Sequence, residues 1–293
     1  MRLGVIGHRG YPELPGILKA LLAAAHAHDA ELYFEPDLFD LADGARKLET
    51  PADADVVMSL GGDGTLLRAA RFLAGAQVPI MGVNLGRLGF LTTCGPDGVA
   101  EAVRVLACGE YTVDHRMALR GEALRAGNPD ESARPDGIWH ALNEFVMHKG
   151  GFARMLTVRA TVNGELLGVY TADGIVVASP TGSTAYSLSA GGPLISPALD
   201  SIIITPVSAH TLAIRPIVVP PDVEVILEAI DGPDEVLVTV DGQAGAQFGR
   251  GDRLLVRRAS MPVCIVRLPG SGFFDRLRVK LGWGGLQARD EPR

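Results

Sequence analysis

The sequence predicts an α/β domain with a parallel, doubly wound sheet, followed by a β-rich domain. Two observations carry this. Through the first hundred residues, short apolar strand-like runs alternate with amphipathic helical runs, the pattern of a parallel sheet with crossover helices. From about residue 111 that alternation gives way to successive β-like runs broken by Asn-Gly, Asp-Gly and other glycine-bearing turns.

In the first part, LGVIG (3–7), ELYF (31–34), DVVMSL (55–60) and PIMGV (79–83) read as strands. ILKALLAAAHAH (17–28), DLFDLADGARKL (37–48), TLLRAARFLA (65–74) and DGVAEAVRVLACG (97–109) read as helices. The β-rich part contains YTVDHRMALRGEAL, IWHALNEFVMH, the long run from Met155 to Pro180, IRPIVVP, EVILEAI, EVLVTVDGQ and RLLVRRA. Its one expected helix is STAYSLSAGG. NPDESARPDG (128–137) is polar and Pro/Gly-bearing, an expected hairpin tip and nicking site. In the tail, Phe273, Leu277 and Leu281 form one helical stripe. The expected divisions are 1–105 (α/β), 106–265 (β-rich) and 266–293 (a tail helix packing back on the protein).

Composition narrows the function classes. With 293 residues, 47% hydrophobic and 21% charged, the chain has an ordinary globular balance and room for a large core. A formal net charge of −7 argues against nucleic acid or an anionic membrane as the main partner. Cys94, Cys108 and Cys264 show no metal-ligand spacing, so no fixed protein metal site is expected and a reduced, cytoplasmic setting is. The opening MRLGVIGH does not read as a signal peptide, and no apolar run reaches the ~20 residues of a spanning helix.

Two motifs point to chemistry. SLGGDGTLLR (59–68) ends a strand and opens a helix, so Gly61, Gly62, Gly64 and Thr65 form a turn at the ligand-binding edge of a doubly wound sheet. Thr65 is suited to cap the helix, whose free N–H groups favour an anion. Asp63 is out of place there unless it caps the turn locally or does chemistry. The run is not a Walker A loop, since no Lys follows at the required spacing. Helical spacing puts Arg68 near the mouth of the turn.

The second motif, TADGIVVASPTGSTAYSLSAGGP (171–193), places hydroxyls and Tyr186 after a strand, a setting for a polar ligand such as a ribose or amide. It lacks the GxSxG elbow of a serine hydrolase. Asn143-Glu144 fits an edge or turn as well as ribose recognition. Asp241-Gly242 reads first as a hairpin turn, and His210 and Arg215 as solvated loop residues.

Taken together, GGDGT (61–65), NLGRLGFL (84–91), Asn143-Glu144, DGIVVASPTGSTAYSLSAGGP, RPIVVP and DGQ resemble, in that order, the motifs of NAD kinases. The resemblance runs from about Asp55 to the KLGWG tail; the first fifty residues share only the strand–helix pattern. GGDGT alone also occurs in phosphofructokinases and in diacylglycerol and sphingosine kinases, whereas PTGSTAYSLSAGGP with NE and DGQ is far more specific.

The resemblance implies phosphoryl transfer from ATP or inorganic polyphosphate to the adenosine ribose 2′-hydroxyl of NAD, with Mg²⁺ or another divalent cation. It implies that Asp63 accepts the proton, with a Mg²⁺-ligand role as the competing assignment. Gly64 would neighbour NAD, and Arg68 and Arg154 match basic positions. Asn143 and Glu144 would hold the second nucleotide half. Asp173 and the stretch Thr184, Ala185, Tyr186, Ser187, Leu188 and Ser189 would line the nicotinamide or adenine pocket, and Gln243 falls on the DGQ position. Family members form dimers or tetramers with sites completed across subunits. Ala209-His210 departs from the family's Pro-His. A lipid kinase sharing GGDGT and a non-catalytic dinucleotide sensor are the alternative readings.

Overall fold

The computed structural model describes residues 1–41, 46–86, 89–126, 137–151, 155–210, 213–233, 235–268 and 272–283. Apart from Gly137, the expected tip 128–137 lies outside them, as does Arg154. The chain forms two compact units, residues 1–115 with 264–293, and residues 116–263.

The first unit holds β1 (Arg2–Gly7), α1 (Leu14–Ala27), β2 (Glu31–Phe34), β3 (Arg46–Lys47), β4 (Val56–Gly61), α2 (Asp63–Leu73), β5 (Ile80–Asn84) and α3 (Val99–Cys108). β1 pairs in parallel with β2 and β4, and β4 with β5. One face carries Met58, Leu60, Met81 and Val83 against Leu14, Leu18 and Leu21 of α1 and Val99, Val103 and Leu106 of α3. On the other face Leu66 of α2 packs so tightly over Gly82 that a Cβ there would come within 2.9 Å of it. Helices on both faces explain why β4 and β5 are buried throughout and read as unbroken apolar runs.

The sheet is wider than its contiguous segment. Its order is β3-β2-β1-β4-β5-β19-β6, with β6 (Thr112–Arg116) and β19 (Val263–Arg267) added beyond β5. These additions, and the run of α3 to Cys108, put the unit boundaries at 115/116 and 263/264 rather than at 105/106 and 265/266. The helix α5 (Phe273–Leu281) belongs to this unit too; it buries Leu277, and its Arg276 donates to the carbonyl of Phe90. The helix over 37–41 is not an α-helix. Residues Pro36–Leu41 make a 3₁₀ turn that drives Leu38 under Gly7, where a Cβ would lie 2.7 Å from the leucine, and Arg46–Lys47 are strand.

The second unit stacks two six-stranded sheets. One runs β11 (Glu165–Ala172), β10 (Leu156–Val162), β15 (Val225–Asp231), β18 (Arg253–Arg258), β7 (Leu119–Leu124), β8 (Ile138–Ala141). The other runs β14 (Ile217–Val219), β13 (Ile202–Val207), β12 (Gly174–Ala178), β9 (Glu144–Lys149), β16 (Val236–Val240), β17 (Gln243–Phe248). Their inner faces share one core containing Leu119, Val158, Leu227 and Val256 from the first and Phe145, Ile175, Val177 and Val238 from the second. The alternate residues Val176 and Ala178 of β12 join Val146 and Ile203 in a second cluster on the outer face. β12 is therefore buried on both sides, as GIVVA requires. The expected helix over STAYSLSAGG is instead a 3₁₀ turn (Thr181–Thr184) and one helical turn, α4 (Tyr186–Ser189), broken at Ala185 (φ −104°, ψ −131°).

Among the described residues no helix is long and apolar enough to cross a membrane.

A Cβ on Gly121 would come within 2.5 Å of the Phe145 ring in the shared core. Gly121→Ala should therefore cost about 1–3 kcal/mol, read as a lower urea midpoint with an unchanged m-value. A variant as stable as the parent would show that the core yields at this point.

Candidate functional site

In the first unit the GGDGT turn joins β4 to α2. Gly62, in extended backbone (φ −100°, ψ −166°), is the N-cap, and Asp63 is the first helical residue. Thr65 is thus not the cap. It is buried in the first turn with its hydroxyl against Gly61, where a Cβ would lie 2.1 Å from Oγ1. Gly64 is exposed.

Nor does Asp63 cap its own helix. Its carboxylate reaches to residues 89–91, where Oδ2 accepts the N–H of Phe90 at 2.8 Å and Oδ1 that of Leu91 at 3.0 Å. A Cβ on Gly89 would sit 2.0 Å from Oδ1, so only glycine lets this loop close over the carboxylate. One N–H per oxygen fixes the group and leaves each oxygen a further lone pair. Arg276 donating to the Phe90 carbonyl and Lys280 lying 4.8 Å over the Phe90 ring brace the loop from behind.

Arg68, expected at the mouth of the turn, is engaged with its own unit. It donates to the carbonyl of Gly7, at the end of β1, and pairs with Glu35 at 2.7 Å. Burial pushes the Glu35 carboxyl up, opposed by the Gly7 N–H and by Arg68. The Tyr11 hydroxyl stands over the turn, 3.9 Å from where a Gly62 Cβ would be and 3.8 Å from a Gly86 Cβ. Sequence reasoning passed over Tyr11, and gave Gly89 no role beyond its place in NLGRLGFL; a single aromatic or glycine in a loop carries no local signal of what it faces.

In the second unit, three segments far apart in sequence meet. Asp241 and Gly242 (φ 49° and 74°) make the two-residue turn between β16 and β17, the hairpin that Asp-Gly signals. The Asp241 carboxylate also accepts three successive backbone N–H groups, from Leu142 (3.0 Å), Asn143 (2.8 Å) and Glu144 (3.1 Å). Ser179, after β12, donates its N–H to the Asn143 carbonyl and its hydroxyl to that of Leu142. Gly182 lies so close to Asn143 that a Cβ would be 2.2 Å from its carbonyl oxygen. The Tyr186 N–H donates to Glu144. Asn143-Glu144, the 179–189 turn and the Asp241–Gln243 hairpin thus form one constellation.

Several hydroxyls expected to face a ligand hold this turn together instead. Ser183 bonds both the N–H and carbonyl of Ile195, Thr184 donates to the Thr181 carbonyl, and buried Ser187 pairs with Thr205. The exposed side chains are Tyr186 and Ser189, with Thr184, Ala185 and Leu188 half-buried, and Gln243 is exposed on the hairpin.

Asp173 is not among them. It precedes β12 whereas the turn follows it, a separation of roughly 20 Å at ~3.3 Å per residue. It pairs with Lys149 at 2.6 Å, which holds its carboxyl below the usual range.

Glu144 is the electrostatic anomaly. It is 4% exposed, and its Oε2 has no hydrogen-bond partner. Burial, then the nearby Asp241 charge, pushes its carboxyl up to about 8 against the Tyr186 N–H.

Removing the Asp241 charge should loosen this constellation. Asp241→Asn keeps the turn but replaces one acceptor oxygen by a donor. It should cost about 1.5–3 kcal/mol, the range for hydrogen bonds to a charged group, measured by urea unfolding; unchanged stability would mean that the three N–H groups find other partners.

Comparison with known proteins follows these landmarks. Residues 26–111 match the family model described as ATP-NAD kinase N-terminal domain, and residues 142–268 that of the ATP-NAD kinase C-terminal domain. The NAD kinase of Gemmatimonas aurantiaca is 54% identical over 290 residues, 99% of each chain. That of Heliobacterium modesticaldum is 44% identical over 255 residues, 87% of this chain and 86% of its own. The structure of an NAD kinase from Archaeoglobus fulgidus in complex with ATP aligns with a TM-score of 0.73 at 26% identity, covering 96% of this chain and 98% of that one. Yeast NADH kinase complexed with NADH shares the fold, with a TM-score of 0.85 at 22% identity over 97% of this chain and 88% of that one. With family matches across both units and a full-length relative at 54% identity, the chain belongs to the NAD kinase family.

Proposed function

We propose that the protein is an enzyme that transfers the terminal phosphoryl group of ATP, or of inorganic polyphosphate, to the 2′-hydroxyl of the adenosine ribose of NAD. The convergence of Asn143-Glu144, the 179–189 turn and the Asp241 hairpin is the observation that carries this reading. The NAD kinase names of its relatives support it, and they support neither a lipid kinase nor a sensor.

In this reading the second unit binds the dinucleotide, with the exposed Tyr186 ring offering a stacking face. The ribose oxygen attacks the terminal phosphorus, the bond to the leaving phosphate oxygen breaks, and the hydroxyl proton passes to Asp63. The two N–H donors from Phe90 and Leu91 serve to aim that carboxylate without occupying all its lone pairs. This explains an acidic residue in a phosphate turn: its partner is the nucleophile's proton.

A divalent cation such as Mg²⁺ bound with the phosphoryl donor would offset the charge of its phosphates. Among the described residues no cluster of three or more His, Cys, Asp or Glu forms a protein cage for it. The residues fit a phosphate-borne cation, with Asp63 the acidic group at the turn able to reach one. Asp173, at the far end of β12, is assigned to a site completed by a second copy in a dimer or tetramer. Arg68, with two of its contacts on its own unit, serves to hold the turn's flank. Arg154, Gly64 and Gln243 keep the substrate contacts that the family resemblance gives them. A cytoplasmic setting fits these substrates.

The test is a coupled assay with purified protein, NAD, Mg-ATP and an NADP-specific dehydrogenase as detector. NADP should form, and its absence would contradict the proposal. Asp63→Asn keeps shape but removes the proton acceptor, and turnover should fall by roughly 10²-fold, the low end for a general base in a loose phosphoryl transfer. Near-normal turnover would return Asp63 to a structural role, whereas partial rescue by excess Mn²⁺ would favour metal ligation.

A further inference from the structure

We propose that Glu144 meets the dinucleotide as a neutral carboxylic acid, donating a hydrogen bond from its unpartnered oxygen, so that this subsite selects an acceptor on the ligand. The inference rests on the NAD-binding reading above and adds the protonation state and hydrogen-bond polarity of one of its residues.

The geometry sets two carboxyl groups against each other in unequal surroundings. Asp241 receives three backbone N–H groups, one of them from Glu144 itself. Hydrogen bonds of that kind stabilise a charged carboxylate strongly. Glu144 receives one N–H, from Tyr186, is 96% buried as the complement of its 4% exposure, and leaves Oε2 without a partner. Where two interacting carboxyls share a poorly solvated site, the one with fewer donors keeps the proton.

Among the described residues, the two strands that flank Glu144 carry no cation over the paired segments. β12, which pairs with it through Ala178, has no titratable residue over 174–178, and β16 has none over 236–240. The turn that covers it contributes Tyr186, whose phenol is exposed, and takes Arg116, which donates to the Thr181 hydroxyl at 3.3 Å. Lys149 stands at the other end of β9, paired with Asp173. Burial, then the Asp241 charge, pushes the Glu144 carboxyl up to about 8, against the Tyr186 N–H.

Among the described residues a protonated Oε2 has no acceptor, as an ionised one has no donor. The acid form completes its hydrogen bonding when the ligand brings an acceptor, such as a ribose oxygen or a ring nitrogen. The ionised form would place a second negative charge near Asp241, with the Tyr186 N–H as its hydrogen-bond donor.

Binding of NAD to the full-length protein, followed by titration calorimetry between pH 6.5 and 9.5, tests this. Affinity should be level up to about pH 7.5 and then weaken, approaching tenfold per pH unit above 8, since one proton must be regained. Repeating the wild-type titration at pH 8.5 in two buffers of different ionisation enthalpy should show uptake of a fraction of a proton approaching one. Glu144→Gln, which stays neutral at every pH, should lose the alkaline weakening, its affinity at pH 9.5 staying within a few-fold of its own value at pH 7.

Affinity that holds or rises to pH 9, with no proton uptake, overturns the inference even if the variant does not fold. A folded Glu144→Gln that binds with the same pH profile as wild type overturns it too. No binding of NAD at pH 7 would remove the NAD reading itself, and this inference with it.

Discussion

The Asp241 carboxylate accepts hydrogen bonds from the N–H groups of three successive residues, Leu142, Asn143 and Glu144, nearly a hundred residues earlier in the chain. Charge-assisted bonds of this kind are about twice as strong as neutral ones. Here they fix the stretch that crosses between β8 and β9. The same stretch offers its carbonyls in the other direction, to Ser179, and its backbone to the close approach of Gly182. The Asp241 carboxylate adds to the strand pairing of Glu144 with Ala178, and together they hold the 142–144 backbone against which the 179–189 turn rests. The hydroxyl-rich turn is then locked by its own side chains, so that Tyr186 remains outward and Glu144 inward. One buried carboxylate thus organises the constellation, and its charge adds to burial in disfavouring ionisation of Glu144.

The same device recurs in the first unit with a different purpose. Asp63 takes two N–H groups rather than three, on a loop held by a glycine that admits no Cβ. It is half-buried rather than enclosed. Asp241 spends three N–H contacts on structure, while Asp63 takes two and is less enclosed. The helix α5 reaches this loop through Arg276, which gives the C-terminal segment a place in the support of the turn.

Much of this was legible in the sequence, because much of it is local. The strands β1, β4 and β5, the helices between them and the Asp-Gly hairpin follow from apolar periodicity and turn chemistry. The family motifs named three segments, 143–144, 179–189 and 241–243, that the fold brings together. What sequence reading missed depends on distant partners. Val263–Arg267 joins a sheet begun at residue 2, and nothing in VCIVR says which sheet it will complete. The run IIITPV (202–207) passed unread, although it forms β13 beside β12. The broken turn at Ala185 arises because serine and threonine side chains bond to distant groups and compete with helix formation. Asp241 looked like a plain turn residue because its three partners lie far back in the chain.

The central claim is that residues 142–144, 179–189 and 241–243 form one dinucleotide cradle organised around Asp241. Hydrogen–deuterium exchange of the full-length protein with and without saturating NAD tests it most directly. Peptides covering all three segments should exchange more slowly together when NAD is present, while those from the distant β10–β11 hairpin stay unchanged. Protection confined to one segment, or none in these three while NAD is bound, would contradict the account.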